Sequence, residues 1–270
     1  MNTYQCKNVN DLLAGPASAS LDRDFRVLEK ERRYAEVIQN DLLTSLTPED
    51  LEFLLPHLEF VDFPLDKQLF GFGEKLSYVY FPTSAVIALL YMLADGNMSE
   101  IAVVGHDGMV GMSAIMGETA LGTALVQCPG QGYRLKASIL NEACEHTEKM
   151  RDVLMRYTQI LINQIAQNAV SGRLLSVDQQ LSRWLLSRLD RLPGNAVKIT
   201  QEVIASMLGV RRESISAAAN RLQQQGLIQY RRGSITVLNR LGLEKYAGEC
   251  YQVTRQSPEV AAGREELELI

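Results

Sequence analysis

The sequence predicts an α+β protein of three consecutive units, and three observations carry this prediction. Ten of the nineteen glycines fall between Gly71 and Gly132, where short apolar runs lie between turn residues, as in a small β-roll. After Ser138, apolar residues recur at steps of three and four, which is typical of a long helix. Beyond Pro193, two short helical segments are followed by two short strands.

Composition places the chain among folded globular proteins. Apolar residues make up 46% of the 270 positions and charged residues 22%. No apolar run approaches the roughly 18 residues of a membrane-spanning helix, and the N-terminus lacks the pattern of a secretory signal. The four cysteines are widely spaced, which fits a reducing compartment. We therefore expect a cytoplasmic protein without membrane association.

The first unit begins after an N-terminal extension, which we assign to residues 1–40. From Leu21 to Leu43, across the end of this extension, the chain reads as a charged amphipathic helix, either solvated on the body or bound to a partner. Thr47 followed by Pro48 predicts the start of another helix. The Asp95–Gly96 pair predicts the turn of a β-hairpin, because glycine tolerates positive φ.

The long helix carries one apolar stripe, and two interpretations of the stripe stay open. It could pack into the core of its own subunit, or form a helix–helix dimer interface. A second amphipathic helix follows from about Val177 to Leu192 and contains the single tryptophan, Trp184. The candidate dimer residues are Met150, Leu154, Tyr157, Leu161 and Ile165.

Charge is unevenly distributed along the chain. The net charge is -5, which by itself argues against a nucleic-acid partner. Residues 200–240, however, hold six arginines against two glutamates. A local basic segment of this kind is what binds a polyanion.

The basic segment has the pattern of a winged helix-turn-helix. Thr200 can cap a first helix, Gly209 permits a sharp turn, and a second helix runs from Arg211 to about Gln225. Two strands follow, at residues 227–230 and 234–238, around an Arg-Arg-Gly tip. A compact helix that carries donors near its N-terminal end fits the DNA major groove.

The exposed side chains of this motif predict specific contacts with DNA. Arg212 can bond guanine O6 and N7 together, Glu213 can accept from cytosine N4, and Ala217 can meet a thymine methyl. The tip arginines are placed for phosphates. The candidate DNA-binding residues are Thr200, Arg211, Arg212, Glu213, Ser214, Ser216, Ala217, Asn220, Arg221, Arg231 and Arg232.

From Asp41 to Arg255 the chain resembles the Crp/Fnr superfamily of bacterial transcription regulators. The resemblance rests on VDFPLDKQLFGFGEKLSYVYFPTSAVIALL, on the long helix and on TQEVIASMLGVRRESISAAANRLQQQGLIQYRRGSITVL. It implies a cyclic-nucleotide-binding-like β-roll sensor domain (41–147), a dimerisation helix (148–174), a winged helix-turn-helix domain (175–255) and an acidic tail (256–270). It further implies a homodimer on palindromic double-stranded DNA, with half-sites about 34 Å apart. An activator would also contact RNA polymerase.

The chain departs from the superfamily's pattern for binding cyclic AMP. Members that bind it carry a Gly-Glu pair followed about ten residues later by Arg-Ser. Here Gly111 and Met112 stand at the first place, and Gly122 and Thr123 at the second. A cyclic phosphate would lose its paired cation. These four residues mark a candidate effector pocket, and we assign the chain to a subgroup that lacks the cyclic-AMP signature, with its effector unknown.

The recognition helix also departs from the superfamily's pattern. Relatives place an arginine five residues after the position of Arg212, where this chain has Ala217.

Three other functional classes find less support. A cyclic-nucleotide-responsive module that acts on a protein partner is the alternative reading of the same fold. No GxSxG, GxxxxGK[ST] or HExxH motif suggests an enzyme. Cys6 alone cannot hold an iron–sulfur cluster, and the three histidines (His57, His106 and His146) have no ligand spacing. We expect neither a metal nor a cofactor.

Overall fold

The computed structural model describes residues 32–92, 98–249 and 251. Within these residues, the N-terminal unit is a β-roll of seven strands: β1 (Glu59–Phe63), β2 (Gln68–Phe70), β3 (Tyr78–Pro82), β4 (Val86–Met92), β5 (Met98–Val104), β6 (Thr123–Cys128) and β7 (Gly130–Lys136). They form two antiparallel sheets, in the orders β1–β7–β3 and β2–β6–β4–β5. β4 and β5 are paired antiparallel. The turn predicted at Asp95–Gly96 lies outside the described residues.

Alternation along the strands divides the side chains between two cores. Phe63 of β1, Phe70 of β2 and Val126 of β6 belong to one buried cluster, to which both sheets contribute. Val79 and Phe81 of β3 belong to a second cluster, which the strands share with helices. Because successive side chains of a strand point to opposite faces, one strand can serve both cores.

Helices cover the outer side of the three-stranded sheet. They are Asp41–Thr44, Pro48–Leu54 with a 3₁₀ turn at Leu55–His57, a short helix at Met112–Ile115, and Ala137–His146. The predicted start at Thr47 is confirmed, since its hydroxyl accepts from the backbone N–H of Asp50 at 3.2 Å.

The N-terminal helix predicted from Leu21 to Leu43 is wrong where the chain is described. Residues 32–37 are helical, but a new helix starts at Asp41. The reason is Asn40, which caps the new helix and donates from Nδ2 to the carbonyl oxygens of Pro82 and Gly108, both at 2.8 Å. Asn40 and Val37 are fully buried, so the boundary predicted at residue 40 falls inside packed structure. Residues 1–31 of the extension lie outside the described part.

The long helix spans Glu148–Leu174, the range that the resemblance implied, and it contains the predicted apolar stripe. A connector helix, Val177–Leu189, follows after a tight corner. Its N-terminus carries a reciprocal cap, in which Ser176 accepts from the N–H of Gln179 and the Gln179 side chain accepts from the N–H of Ser176.

The C-terminal unit has the predicted helix-turn-helix and wing. The first motif helix is Gln201–Leu208 and the recognition helix is Arg212–Gln224. The wing strands are β9 (Ile228–Arg231) and β10 (Ser234–Val237), and a closing helix spans Arg240–Ala247. A third strand, β8 (Ala196–Val197), pairs with β10 and was not predicted, because two residues carry no periodic pattern. The predicted acidic tail lies outside the described residues.

The C-terminal unit docks on the β-roll of the same chain. Val86, Val103 and Cys128 of the β-roll share one buried cluster with Trp184 and Leu185 of the connector helix. A smaller cluster joins Met207 of the first motif helix to Ala88 and Leu90 of β4. Within the ranges described, no helix has both the length and the apolar character needed to cross a bilayer.

Candidate DNA-binding surface

The first motif helix is fixed at both ends by local chemistry. The Thr200 hydroxyl accepts from the backbone N–H of Val203 at 3.3 Å, which confirms the predicted cap. Gly209 ends the helix in the left-handed region, at φ 64°, where residues with a Cβ are disfavoured. Ile204, Ala205 and Met207 are buried, so this helix presents its apolar side to the fold.

The recognition helix begins one residue after the position predicted. Arg211 is the extended N-cap residue, and the helix proper starts at Arg212. Its buried side consists of Ile215, Ala218, Ala219 and Leu222. The two central alanines have short side chains, which lets a neighbouring helix approach closely.

The opposite side of the recognition helix is open to solvent. Arg212 is 64% exposed, and its Nε lies 3.6 Å from a carboxylate oxygen of Glu202. Ser214 is half-buried. The exposed predicted residues of this helix and its cap are Arg211, Arg212, Glu213, Ala217, Asn220 and Arg221.

Two predicted DNA contacts are already engaged within the protein. The Ser216 hydroxyl donates to Oε1 of Gln201 at 2.6 Å and so ties the recognition helix to the first motif helix. Arg221 pairs through two nitrogens with Asp178 of the connector helix, with Nε 2.7 Å from Oδ2. This hydrogen bond from Arg221 lowers the pKa of Asp178. Periodicity shows a polar face but not these intramolecular partners, and DNA contact by Ser216 and Arg221 stays a prediction.

The wing presents a second cationic group. β9 and β10 pair around Arg232 and Gly233, and Gly233 takes a φ of 76°. Arg231 and Arg232 are both exposed. The tip therefore carries two guanidinium groups at the turn of the hairpin, as predicted.

Fold and surface together define a class: a winged helix-turn-helix DNA-binding protein joined to a β-roll. A family model described as a Crp-like helix-turn-helix domain matches residues 179–246, which contain both motif helices and the wing.

Curated relatives cover more of the chain. The cAMP-activated global transcriptional regulator CRP of Pasteurella multocida is 21% identical over 196 residues, which is 69% of this chain and 93% of that protein. The CRP-like cAMP-activated global transcriptional regulator of Mycobacterium tuberculosis is 24% identical over 208 residues, 73% of this chain and 91% of that protein.

Solved structures share the fold. FixK2 from Bradyrhizobium japonicum superposes with a TM-score of 0.60 at 18% identity, covering 70% of this chain and 96% of its own. A transcriptional regulator of the CRP family from Thermus thermophilus has a TM-score of 0.58 at 20% identity, covering 70% and 97%. Over about 70% of its length the chain is thus similar to transcriptional regulators of the CRP type, and its C-terminal part matches a Crp-like helix-turn-helix domain. The expectation that the chain is not an enzyme agrees with these similarities, since the relatives are transcription regulators.

The long helix uses most of its predicted dimer residues within its own subunit. Met150, Leu154 and Tyr157 are buried in the core shared with β3 and β7. The Tyr157 hydroxyl donates to the carbonyl oxygen of Met109 at 2.6 Å, and burial holds the pKa of this phenol well above its ordinary value. A Cβ on Gly108 would lie 2.4 Å from the Tyr157 ring. Assigning these three residues to a dimer interface is therefore wrong, because the apolar stripe faces the β-roll.

A different side of the long helix remains uncovered. Leu161 is half-buried against the β-roll, whereas Ile165 is exposed. Met155 and Ile162 are exposed as well, seven residues apart, and Ile165 follows Ile162 by three. This spacing is that of a coiled-coil seam.

The four candidate effector residues serve the fold of the β-roll. Gly111 precedes the short helix at φ 109°, and Met112 packs on the core that β3 and β7 share with the helices. A Cβ on Gly122 would lie 2.4 Å from the carbonyl oxygen of Leu90. Because that atom belongs to the backbone of β4, no side chain fits at position 122 without moving the strand. Thr123 is buried at the start of β6.

The docking interface contains a buried ion pair that sequence reasoning missed. Arg188 of the connector helix bonds Glu100 of β5, and their side chains are 1% and 5% exposed. Arg188 also donates to Oε1 of Gln127 and lies with its Cζ 3.8 Å from the Trp184 ring centroid. Arg188 and Glu100 lie 88 residues apart in the sequence, and neither belongs to a motif. No sequence pattern therefore indicated the pair.

A second polar cluster borders the same interface. Arg191 donates from Nε to Asp107 at 3.0 Å. Burial opposes ionisation of Asp107, but the charge and hydrogen bond of Arg191 leave its pKa below the ordinary value. His106 Nδ1 lies 3.0 Å from Asp41, and this hydrogen bond raises the pKa of His106. Its Nε2 lies 3.3 Å from the carbonyl oxygen of Asp190, in the segment that follows the connector helix.

Proposed function

We propose that the chain acts as a cytoplasmic homodimer that reads a palindromic operator, one recognition helix to each half-site. The observation that carries the proposal is the exposed face of the recognition helix, with Arg212 at its first position. A helix N-terminus that enters the major groove brings its first side chains to the base edges.

Base reading and phosphate contact fall to different side chains. Arg212 bonds a guanine through two nitrogens, and Glu213 accepts from a cytosine amino group. Arg211, Ser214, Asn220 and the hydroxyl end of Thr200 lie at the border of this face. The wing arginines, Arg231 and Arg232, neutralise phosphates and contribute affinity without sequence preference.

Dimerisation uses the uncovered side of the long helix. Met155, Ile162 and Ile165 form a seam that pairs with the same seam of a second copy. Two parallel long helices then carry two winged units on one side of the dimer. If the regulator activates transcription, a separate surface contacts RNA polymerase.

The β-roll does not bind cyclic AMP in the usual manner. Met112 replaces a carboxylate, and the close approach of the Leu90 carbonyl leaves no room for an arginine at position 122. The phosphate of a cyclic nucleotide would therefore lack its charge-assisted partner. The names of the curated relatives describe cAMP-activated regulators, so a cyclic-nucleotide-responsive module is the second candidate. Calorimetric titration with cyclic AMP and cyclic GMP decides between them, and micromolar affinity for either would favour the second candidate.

Selection of genomic fragments tests the proposed operator. Purified protein is mixed with sheared DNA of its own genome, and bound fragments are recovered and sequenced. We expect an inverted repeat whose half-site centres lie about 10 base pairs, or 34 Å, apart. A recovered motif without two-fold symmetry would contradict the dimeric reading.

A further inference from the structure

A cavity of about 360 Å³ lies where the two units of the chain meet. The long helix, the connector helix, β5 and the first motif helix all contribute to its wall. None of the four candidate effector residues of the β-roll lines it. Its volume falls in the range of cavities that hold small organic molecules, about 300–1,000 Å³.

Nε1 of Trp184 and Oγ of Ser171, both in residues of this wall, are buried and have no hydrogen-bond partner among the described parts of the chain. Trp184 is 4% exposed and Ser171 is 3% exposed. A buried donor without an acceptor is destabilising, and the indole N–H can only donate. Both atoms therefore call for an acceptor that the chain itself does not supply.

Amide side chains of the long helix add acceptors to the same wall. Nε2 of Gln164 donates to the carbonyl oxygen of Val103 at 3.2 Å, and Nδ2 of Asn168 donates to that of Ile101 at 2.8 Å. Because a backbone carbonyl oxygen only accepts, each amide nitrogen must face β5. The amide oxygens of Gln164 and Asn168 are then the atoms left to accept from an occupant.

The charges of the wall are balanced. Arg188 pairs with Glu100, and Arg191 pairs with Asp107. Asp41 pairs with His106. The lining residues include four carboxylates, three guanidinium groups and one imidazole. This balance gives an anion no advantage over a neutral molecule.

We propose that this junction cavity is a binding site for an uncharged small molecule with both acceptors and donors, of the class of nitrogen heterocycles that carry an amide or lactam. The occupant accepts from Trp184 and Ser171 and donates to the amide oxygens of Gln164 and Asn168. Binding itself requires no DNA. Its effect on DNA binding rests on the proposed function, because the cavity wall joins the β-roll to the unit that carries the recognition helix.

The single tryptophan makes the site directly observable. A ¹⁵N-labelled chain gives one indole N–H signal, from Trp184. The full-length protein is titrated with nicotinamide, and with nicotinate as an anion of nearly the same shape, in the absence of DNA. We expect nicotinamide to move the indole signal saturably, and nicotinate to bind at least tenfold more weakly.

A pair of matched variants locates the effect. Ser171→Ala should weaken nicotinamide binding about tenfold, the loss expected for one hydrogen bond. Ser113→Ala makes the same chemical change outside the cavity wall and should leave binding unchanged. An indole signal that neither probe moves, as when the cavity holds only water, would overturn the proposal. Equal binding of both probes, or equal effects of the two variants, would overturn it too. Operator selection is measured separately, so failure of one proposal leaves the other standing.

Discussion

Arg212 occupies the first turn of the recognition helix with most of its side chain in solvent. Its only described ionic neighbour is Glu202, at 3.6 Å, and both side chains are exposed. Exposed pairs of this kind contribute about 0–1 kcal/mol. The guanidinium can therefore exchange Glu202 for a base edge at little cost, which suits the base contact proposed for Arg212.

Replacing Arg212 with alanine should affect specific binding far more than non-specific binding. Loss of a bidentate contact costs about 1–3 kcal/mol of discrimination at each base pair. We therefore expect affinity for the selected operator to fall about tenfold or more, with little change on random DNA. Fluorescence anisotropy at one fixed salt concentration measures both affinities.

Arg231→Ala is the matched control, because it removes a guanidinium from the wing tip and not from the face proposed to contact bases. This variant should weaken binding to the operator and to random DNA alike. It should also reduce the magnitude of the slope of log binding constant against log salt concentration by about 1 for each subunit. If Arg212→Ala lost the same affinity for both DNAs, Arg212 would contact a phosphate and not a base.

His106 links the pH of the medium to the stability of the folded chain. Its hydrogen bond to Asp41 raises its pKa above the ordinary 6.5, so the folded state favours the protonated ring. Stabilisation from this pair is fully present below about pH 6.5 and is lost as pH rises through the raised pKa. Thermal unfolding of the wild type and of His106→Gln between about pH 5 and 9 measures it. The melting temperature of the wild type should exceed that of His106→Gln by the largest amount at the acidic end. A difference that grows as pH rises would contradict this prediction.

At the scale of elements, the long helix shows what a periodic pattern can and cannot determine. The stripe predicted a long helix here, since an apolar stripe identifies a helix whatever covers it, and the resemblance supplied the bounds. The stripe did not reveal that the β-roll covers Met150, Leu154 and Tyr157. Only three-dimensional contacts separate that face from the exposed seam of Met155, Ile162 and Ile165.

Two substitutions in the long helix should therefore have opposite consequences. Ile162→Glu places a charge in the proposed seam and should yield folded monomers with little loss of thermal stability. Leu154→Ala removes a buried side chain and should cost about 2–5 kcal/mol of unfolding free energy while dimers persist. Analytical ultracentrifugation and denaturant titration check both variants, and a dimeric Ile162→Glu protein would exclude this seam.

The helix-turn-helix was predictable almost residue by residue, because its signals are local. The Thr200 cap, the Gly209 turn and the buried Ile215 each reflect chemistry within a few residues. The intramolecular contacts of Ser216 and Arg221 were not predicted, for the opposite reason. Their partners, Gln201 and Asp178, lie 15 and 43 residues away.

At the scale of the whole molecule, the orientation of the DNA-binding unit depends on the docking interface. Arg188 and Glu100 join the two units in a place from which water is excluded. Such a pair contributes little net stability when intact, but removing one partner leaves an uncompensated buried charge. The pair therefore favours one docked orientation over alternatives that would separate its members.

Glu100→Gln should lower the unfolding free energy by about 3–5 kcal/mol, because Arg188 then stays buried without its counterion. Glu59→Gln is the control. It breaks the ion pair between Glu59 and Arg134, two exposed side chains. The loss of unfolding free energy should be less than about 1 kcal/mol. Denaturant titration compares the two variants. Equal costs would mean that the docking pair is as solvated as a surface pair.

The direct test of the central claim is the stoichiometry and preference of binding to a fragment recovered from the genome. Titration of that duplex and of a scrambled copy, followed by anisotropy and by mass measurement of the complex, gives both quantities. We expect two subunits on each duplex and an affinity at least about 10³-fold higher for the selected fragment. One subunit on each duplex, or equal affinity for the scrambled copy, would contradict a dimeric reader of DNA sequence.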